Sequence, residues 1–278
     1  MASSALVLGG GGVTGIAWEL GILSGLFEAG LDLTTAELVV GSSAGSVVAA
    51  QITTVDSLES LYLRQIEGFG SEIAAQMSLA TLAKLGFAAL RTRDEQRALA
   101  NIGAMAVAAH TVEEAQRRAV IADRLPVHTW PDRRLLVTAV AADTGEFTVF
   151  DRDSGVALVD AVTASCAVPG VWPPITIDGR RYIDGGVRSP ANVDLVAGYD
   201  RVVVIAPMTA SVRRRATPAA QVAALPPMTR TLLITPDDAA KKAIGRNVLD
   251  PLHRAPAAKA GRRQSLDLIA AVERVWSD

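Results

Sequence analysis

A parallel α/β sheet is the fold class predicted for this chain, and two observations predict it. Ala5-Leu6-Val7-Leu8 is an apolar run closed by Gly9-Gly10-Gly11-Gly12 and followed by an apolar helical stretch. Leu38-Val39-Val40 is a second such run, closed by Gly41-Ser42-Ser43-Ala44-Gly45 and followed by another apolar helical stretch. Strand, tight glycine turn and helix, repeated at once, is the pattern of units whose strands pair in parallel and are buried on both faces. The 278 residues suffice for one large domain, and no internal repeat or linker divides them.

The elements follow in order. Residues 16–29 are apolar on nearly every face, Glu19 and Glu28 excepted, and read as a buried helix stopped by Gly30. Asp56-x-x-Glu59 resembles a capping box for a helix carrying Leu58, Leu61, Tyr62 and Ile66. A helical insertion is expected over about 71–124, where Ala74, Met77, Leu79, Leu82, Leu85 and Leu90 recur at helical spacing. Residues 133–141 and 146–150 flank Thr144-Gly145 as a hairpin, and a short helix of small residues follows at 158–167. Val168-Pro169-Gly170-Val171-Trp172-Pro173-Pro174 is a rigid turn. Two short strands then flank Asp178-Gly179, a strong tight-turn pair, and deliver Asp184-Gly185-Gly186. Further buried strands are expected at 201–206 and 231–235, with Arg213-Arg214-Arg215 and Pro226-Pro227 in the loop between them. After an irregular stretch to Pro256, a final helix with Leu266, Leu268, Ile269, Val272 and Trp276 makes a C-terminal helical extension at about 257–278.

Composition bounds the function classes. Half the residues are apolar, mean hydropathy is +0.28 and aromatics are only 4%, so Ala, Val, Leu and Ile must fill the core. A net charge of −2, from 27 basic and 29 acidic residues, argues against a general nucleic-acid binder. The single cysteine, Cys166, excludes an intrachain disulfide, and a reducing, cytoplasmic setting is the expectation. The first residues carry no basic segment of the kind that opens a signal peptide. No stretch reaches the roughly 18 uninterrupted apolar residues of a spanning helix. Peripheral membrane contact, made by the 71–124 region, is the most that is expected.

Gly41-x-Ser43-x-Gly45 has the form of a nucleophile elbow. The glycines leave room where a Cβ would strike the neighbouring strand or helix, and the turn lifts the serine oxygen to a helix N-terminus. Gly10-x-Gly12-x-x-Gly15 also fits a dinucleotide fingerprint, but that use needs an acidic residue at the end of the second strand, where Gly41-Ser42-Ser43 stands instead. A phosphate-binding loop fails for want of Gly-Lys-Ser/Thr. The remaining use of consecutive glycines is exposed N–H groups that hold an oxyanion, and strands adjacent in sequence tend to be neighbours in a sheet. The two glycine motifs then explain each other.

Two candidates exist for the base. The order Ser43, Asp184, His253 matches the α/β-hydrolase triad, and His110 and His128 are the other histidines. Asp184 alone, at a strand end with two glycines behind it, would serve if burial raised its pKa. Aspartate before glycine is also a common turn residue.

These residues resemble a patatin-like phospholipase. The resemblance rests on Leu8-Gly9-Gly10-Gly11-Gly12-Val13-Thr14-Gly15, the elbow, Ala164-Ser165-Cys166-Ala167-Val168-Pro169-Gly170-Val171-Trp172-Pro173-Pro174, and Asp184-Gly185-Gly186, in that order over positions 8–186. It implies a three-layer α/β/α fold with a mainly parallel central sheet, in a single domain over 1–278. It implies a Ser43–Asp184 dyad without histidine, an oxyanion hole from the N–H groups around Gly10, Gly11 and Gly12, and Gly41, Gly45, Gly185 and Gly186 in support. It implies hydrolysis of phospholipid or related lipid esters with no cofactor and no metal. Thr14 stands where the family often has arginine, and Trp18 where many members have histidine. Those departures bear on substrate more than on chemistry. The rival classes are a triad esterase, a nucleotide-binding oxidoreductase and a non-catalytic lipid-binding protein.

Overall fold

Ser4–Leu8 forms β1 with every residue buried, and Gly12–Glu28 forms α1, which begins inside the glycine run. The chain is described by a computed structural model covering residues 2–55, 57–68, 73 and 75–277. Leu38–Gly41 is β2 and Ala44–Thr54 is α2. Four helices follow: α3 (Leu58–Glu67), α4 (Leu79–Leu90), α5 (Glu95–Val107) and α6 (Glu114–Arg124). Then come β3 (Arg134–Ala141), β4 (Phe147–Phe150), α7 (Leu158–Ser165), β5 (Ile175–Ile177) and β6 (Arg180–Asp184). The last third holds β7 (Arg201–Ile205), α8 (Pro218–Ala223), β8 (Arg230–Ile234), α9 (Asp238–Ile244), α10 (Arg254–Ser265) and α11 (Ile269–Trp276).

The strands form one sheet in the order β5-β6-β3-β2-β1-β7-β8, with β4 also paired to β3. β1 lies between β2 and β7 and is parallel to both; β2–β3 and β7–β8 are parallel as well. Alternate side chains of each strand face opposite layers. Leu6, Leu8, Val39, Val137, Val203 and Ile205 pack against α1, α2, α7 and α10. On the other face Ala5, Val7, Val40, Val202 and Val204 meet Val193 and Val196, while Val140 and Ile183 are covered by Leu99 and Ile102 of α5. The result is the expected three-layer α/β/α arrangement.

The register around β3 positions the site. Val137 bridges to Gly41 of β2 and to Phe150 of β4, and Ala139 bridges to Thr148 of β4 and to Asp184 of β6. A strand residue has one bridge partner on each side, so β2 and β6 follow one another along the same edge of β3, opposite β4. They run toward each other, and their ends meet across Thr138.

Three local expectations change. Asp56 lies outside the described residues, as do positions 71, 72 and 74 at the start of the expected helical insertion; α3 is capped by Ser57, whose hydroxyl accepts from Ser60 N–H at 3.1 Å. The stretch from Pro236 to Pro256 is not irregular throughout, because Asp237 caps α9 by accepting from Ala240 N–H at 2.6 Å. The final helix is two helices: between α10 and α11 the Leu266, Asp267 and Leu268 N–H groups turn to carbonyls three residues back. α10 packs closely on α1, where Gly21 and Gly261 bring backbone against backbone and Trp18 Nε1 donates to Gln264 Oε1 at 3.0 Å. No helix among the described residues is long and apolar enough to cross a membrane.

Candidate active site

Ser43 sits at the junction of β2 and α2 with φ 52° and ψ −120°. A non-glycine residue holds that conformation only when its surroundings enforce it, at a cost of about 1–3 kcal/mol. Here they do. A Cβ on Gly41 would lie 2.5 Å from Ser46 Cα, and one on Gly45 would overlap the Leu8 carbonyl. Gly45 N–H donates to Gly9 O at 2.9 Å and Ser42 N–H to Leu8 O at 3.0 Å, so the elbow is fastened to the glycine loop. Ser43 N–H donates to Ser165 Oγ at 2.9 Å. Its carbonyl accepts from Ser46 Oγ at 2.6 Å and from the Cys166 thiol at 3.2 Å. Burial pushes that thiol up to about 11, so it stays neutral as a donor.

Ser43 Oγ donates to Asp184 Oδ2 at 2.6 Å. Asp184 Oδ1 accepts from Gly186 N–H at 2.7 Å, so the aspartate is both a turn residue and the serine's partner. A Cβ on Gly185 would overlap Thr138, and one on Gly186 would lie 2.9 Å from Asp184 Oδ1. Asp184 is 4% exposed, and burial raises its pKa from 3.8 to about 7 against the pull of the Ser43 and Gly186 bonds and the charge of Arg117. Arg117 is itself buried, with its guanidinium 4.0 Å from the centre of the Trp172 ring. A carboxyl so placed changes charge near neutrality, the range suited to a base.

The glycine loop divides its N–H groups. Gly9 donates to Ile205 O and to Glu19 Oε1, and Gly10 donates to Pro190 O at 2.7 Å. Gly11 and Gly12 donate to no acceptor among the described residues, and both line the cavity with Ser43. Gly10 thus contributes backbone shape rather than a free donor. Glu19 is fully buried, well above the usual carboxylate range because burial disfavours its charge. Thr14 binds Val248 O through its N–H and hydroxyl, at 3.2 and 3.3 Å, and buried Trp18 turns to α10.

Asn192 is a member of the site that its sequence surroundings did not announce. Fully buried, with φ 51°, it donates through Nδ2 to Ser42 Oγ at 2.9 Å, Ser189 O at 3.0 Å and Gly185 O at 3.3 Å. It joins the elbow to the Asp-Gly-Gly turn. The available signal was an asparagine shortly after that turn, and Asn tolerates the left-handed region.

The three histidines are elsewhere. His253 Nδ1 pairs with Ala243 O at 2.8 Å and His128 Nε2 with Ala122 O at 3.0 Å, and His110 is exposed after α5. Among the described residues no histidine bonds to Ser43 or Asp184 or lines the cavity, and no cluster of His, Cys, Asp and Glu has the makings of a metal site. The cavity, about 510 Å³, has Ser43 and Asp184 in its wall and mostly apolar lining, including Leu85, Ile102, Val168 and Leu249. That is the size and character of a site for an apolar small molecule.

A family model described as Patatin-like phospholipase matches residues 6–197. Uncharacterized NTE family proteins of Mycobacterium tuberculosis and Mycobacterium bovis are 30% identical to the chain over 207 residues, 73% of this chain and 48% of theirs. The chain therefore spans about half the length of these curated relatives. The crystal structure of VipD from Legionella pneumophila aligns with TM-score 0.48 at 15% identity over 98% of this chain and 67% of that one. The type III effector protein ExoU aligns with TM-score 0.46 at 17% identity over 98% of this chain and 54% of that one.

Proposed function

The chain belongs to the patatin-like phospholipase family, and we propose that it is a serine lipid acyl hydrolase working through Ser43 and Asp184 on carboxylic esters of phospholipids or related lipids. The observation that carries the reading is the 2.6 Å bond between Ser43 Oγ and Asp184 Oδ2 in the wall of an apolar cavity. Asp184 takes the Ser43 proton as Oγ attacks the ester carbonyl carbon. The carbonyl oxygen gains the negative charge and turns to the N–H groups of Gly11 and Gly12. Asp184 returns the proton to the leaving alcohol, and an acyl ester remains on Ser43. Water, deprotonated by Asp184, attacks that ester and releases the fatty acid, and Ser43 recovers its proton. Another alcohol in place of water would make the same cycle an acyl transfer. Residues 1–278 act as one catalytic domain in this reading, in peripheral contact with the membrane that holds the substrate.

A fluorophosphonate probe tests it. Labelling should map to Ser43 and vanish in Ser43→Ala. Folded protein that stays unlabelled, or carries label elsewhere, would refute the assignment.

A further inference from the structure

α4 has an unusual outer face. It contains no acidic residue, and Phe87 and Leu90 stand 68% and 72% exposed on it. Its inner side packs through Ala88 and Ala89, and its flank lines the catalytic cavity with Leu82, Leu85 and Gly86. A second apolar lip, Met208 and Val212 in the loop after β7, is also exposed and also lines the cavity. The two lips are joined: Arg213 donates to the carbonyls of Thr92 and Arg93 at 3.1 and 3.3 Å, and Arg215 pairs with Glu95 at 2.7 Å. Around them stand the exposed cations Lys84, Arg91, Arg93 and Arg214. The Arg91 guanidinium is 5.6 Å from the centre of the Phe87 ring.

We infer that α4 and the 208–215 loop form a docking surface for an anionic lipid bilayer, with α4 lying in the interface plane. This rests on the hydrolase reading, since it names the source from which that cavity is filled. Two features select a bilayer. An apolar helix face rimmed by basic residues is the pattern of interfacial helices. The cations complement anionic headgroups, whose attraction for such residues is additive at a membrane surface. Leu82, Met208 and Val212 are exposed beside that face and also line the cavity, so whatever covers the face is continuous with the substrate path. An acyl chain would pass from the bilayer between Leu82 and Val212 toward Ser43 without crossing water.

Co-sedimentation of the full chain with vesicles of phosphatidylcholine, alone and mixed with phosphatidylglycerol, tests this. The double variant Phe87→Ser, Leu90→Ser should lower partitioning onto mixed vesicles more than tenfold. The double variant Arg91→Glu, Arg214→Glu should remove the preference for mixed over neutral vesicles. Both should keep wild-type turnover of a soluble p-nitrophenyl ester, because none of the four side chains lines the cavity. Unchanged partitioning of both variants would overturn the proposal. So would a serine variant that turns a dimer into a monomer in light scattering while still binding vesicles, because the face would then be an interface between copies. Vesicle binding that depends on α4 in a wild-type protein inactive on the soluble ester would sink the hydrolase reading and leave the docking surface standing.

Discussion

Replacing Asp184 by asparagine separates two consequences of one buried carboxyl. In the wild type, burial moves its pKa from 3.8 to about 7. That corresponds to about 4 kcal/mol against the charged form. Between these two values the unfolded chain has released the proton and the folded chain keeps it, so stability falls as pH rises through this window. Asparagine cannot ionise and carries no such slope. Its loss or gain of hydrogen bonds is independent of pH, so the difference between two pH values isolates the carboxyl. From pH 5 to pH 8 the stability of Asp184→Asn relative to wild type should rise by about 2–3 kcal/mol, read from urea midpoints at both values. Turnover gives the companion measurement. As a base, Asp184 must be ionised, so kcat/KM on a soluble ester should fall about tenfold per pH unit below 7. An ordinary aspartate would leave the rate flat down to about pH 4. A flat wild-type profile between pH 5 and 8, together with parallel stability curves for the two proteins, would refute both the raised pKa and the role as base.

His110→Ala, His128→Ala and His253→Ala should each keep soluble-ester turnover within about tenfold, or 1.4 kcal/mol of barrier; one folded variant as inactive as Ser43→Ala would mean that a histidine takes the proton. Glu19 holds Gly9 through Oε1, and its Oε2 meets no hydrogen-bond partner among the described residues. Glu19→Gln keeps the acceptor without the raised pKa, so it should be more stable than wild type at pH 8 with turnover preserved, whereas Glu19→Ala should lower both stability and kcat. A urea midpoint for Glu19→Gln below that of the wild type at pH 8 would contradict this.

What was legible in the residues was local. Gly41 and Gly45 border the elbow because backbone atoms of Ser46 and Leu8 fill the space of a Cβ, and that constraint is written within a few positions. The parallel sheet followed from two strand–glycine–helix units, and Leu8 does pair with Gly41. The less legible parts are long-range. Nothing near Asp184 says that β6 continues the edge of β3 where β2 stops, because register depends on partners far along the chain. Gly10 gives its N–H to Pro190, 180 residues away, so the donor set of the loop could not be assigned from the glycine run itself. Asn192 is not legible for the same reason, since its partners Ser42 and Gly185 come together only in the folded sheet. The break between α10 and α11 is a matter of three i→i−3 bonds in a sequence whose apolar period continues across it.

The position of β1 has a consequence for how the chain assembles. β1, an interior strand of the sheet, precedes every other strand in the chain. Leu8 meets Gly41 soon afterwards, but its other partner is Ile205, 197 residues later. The loop-closure term for the second pairing exceeds that for the first by only about 1.6 kcal/mol. The delay is the larger matter: at about 5–20 residues per second, β7 emerges roughly 10–40 s after β1. Through that interval β1 is an edge strand, and such edges invite pairing with other chains. The α1 face that receives Gly261 waits longer still. Any product that stops short of β7 therefore keeps β1 as an open edge.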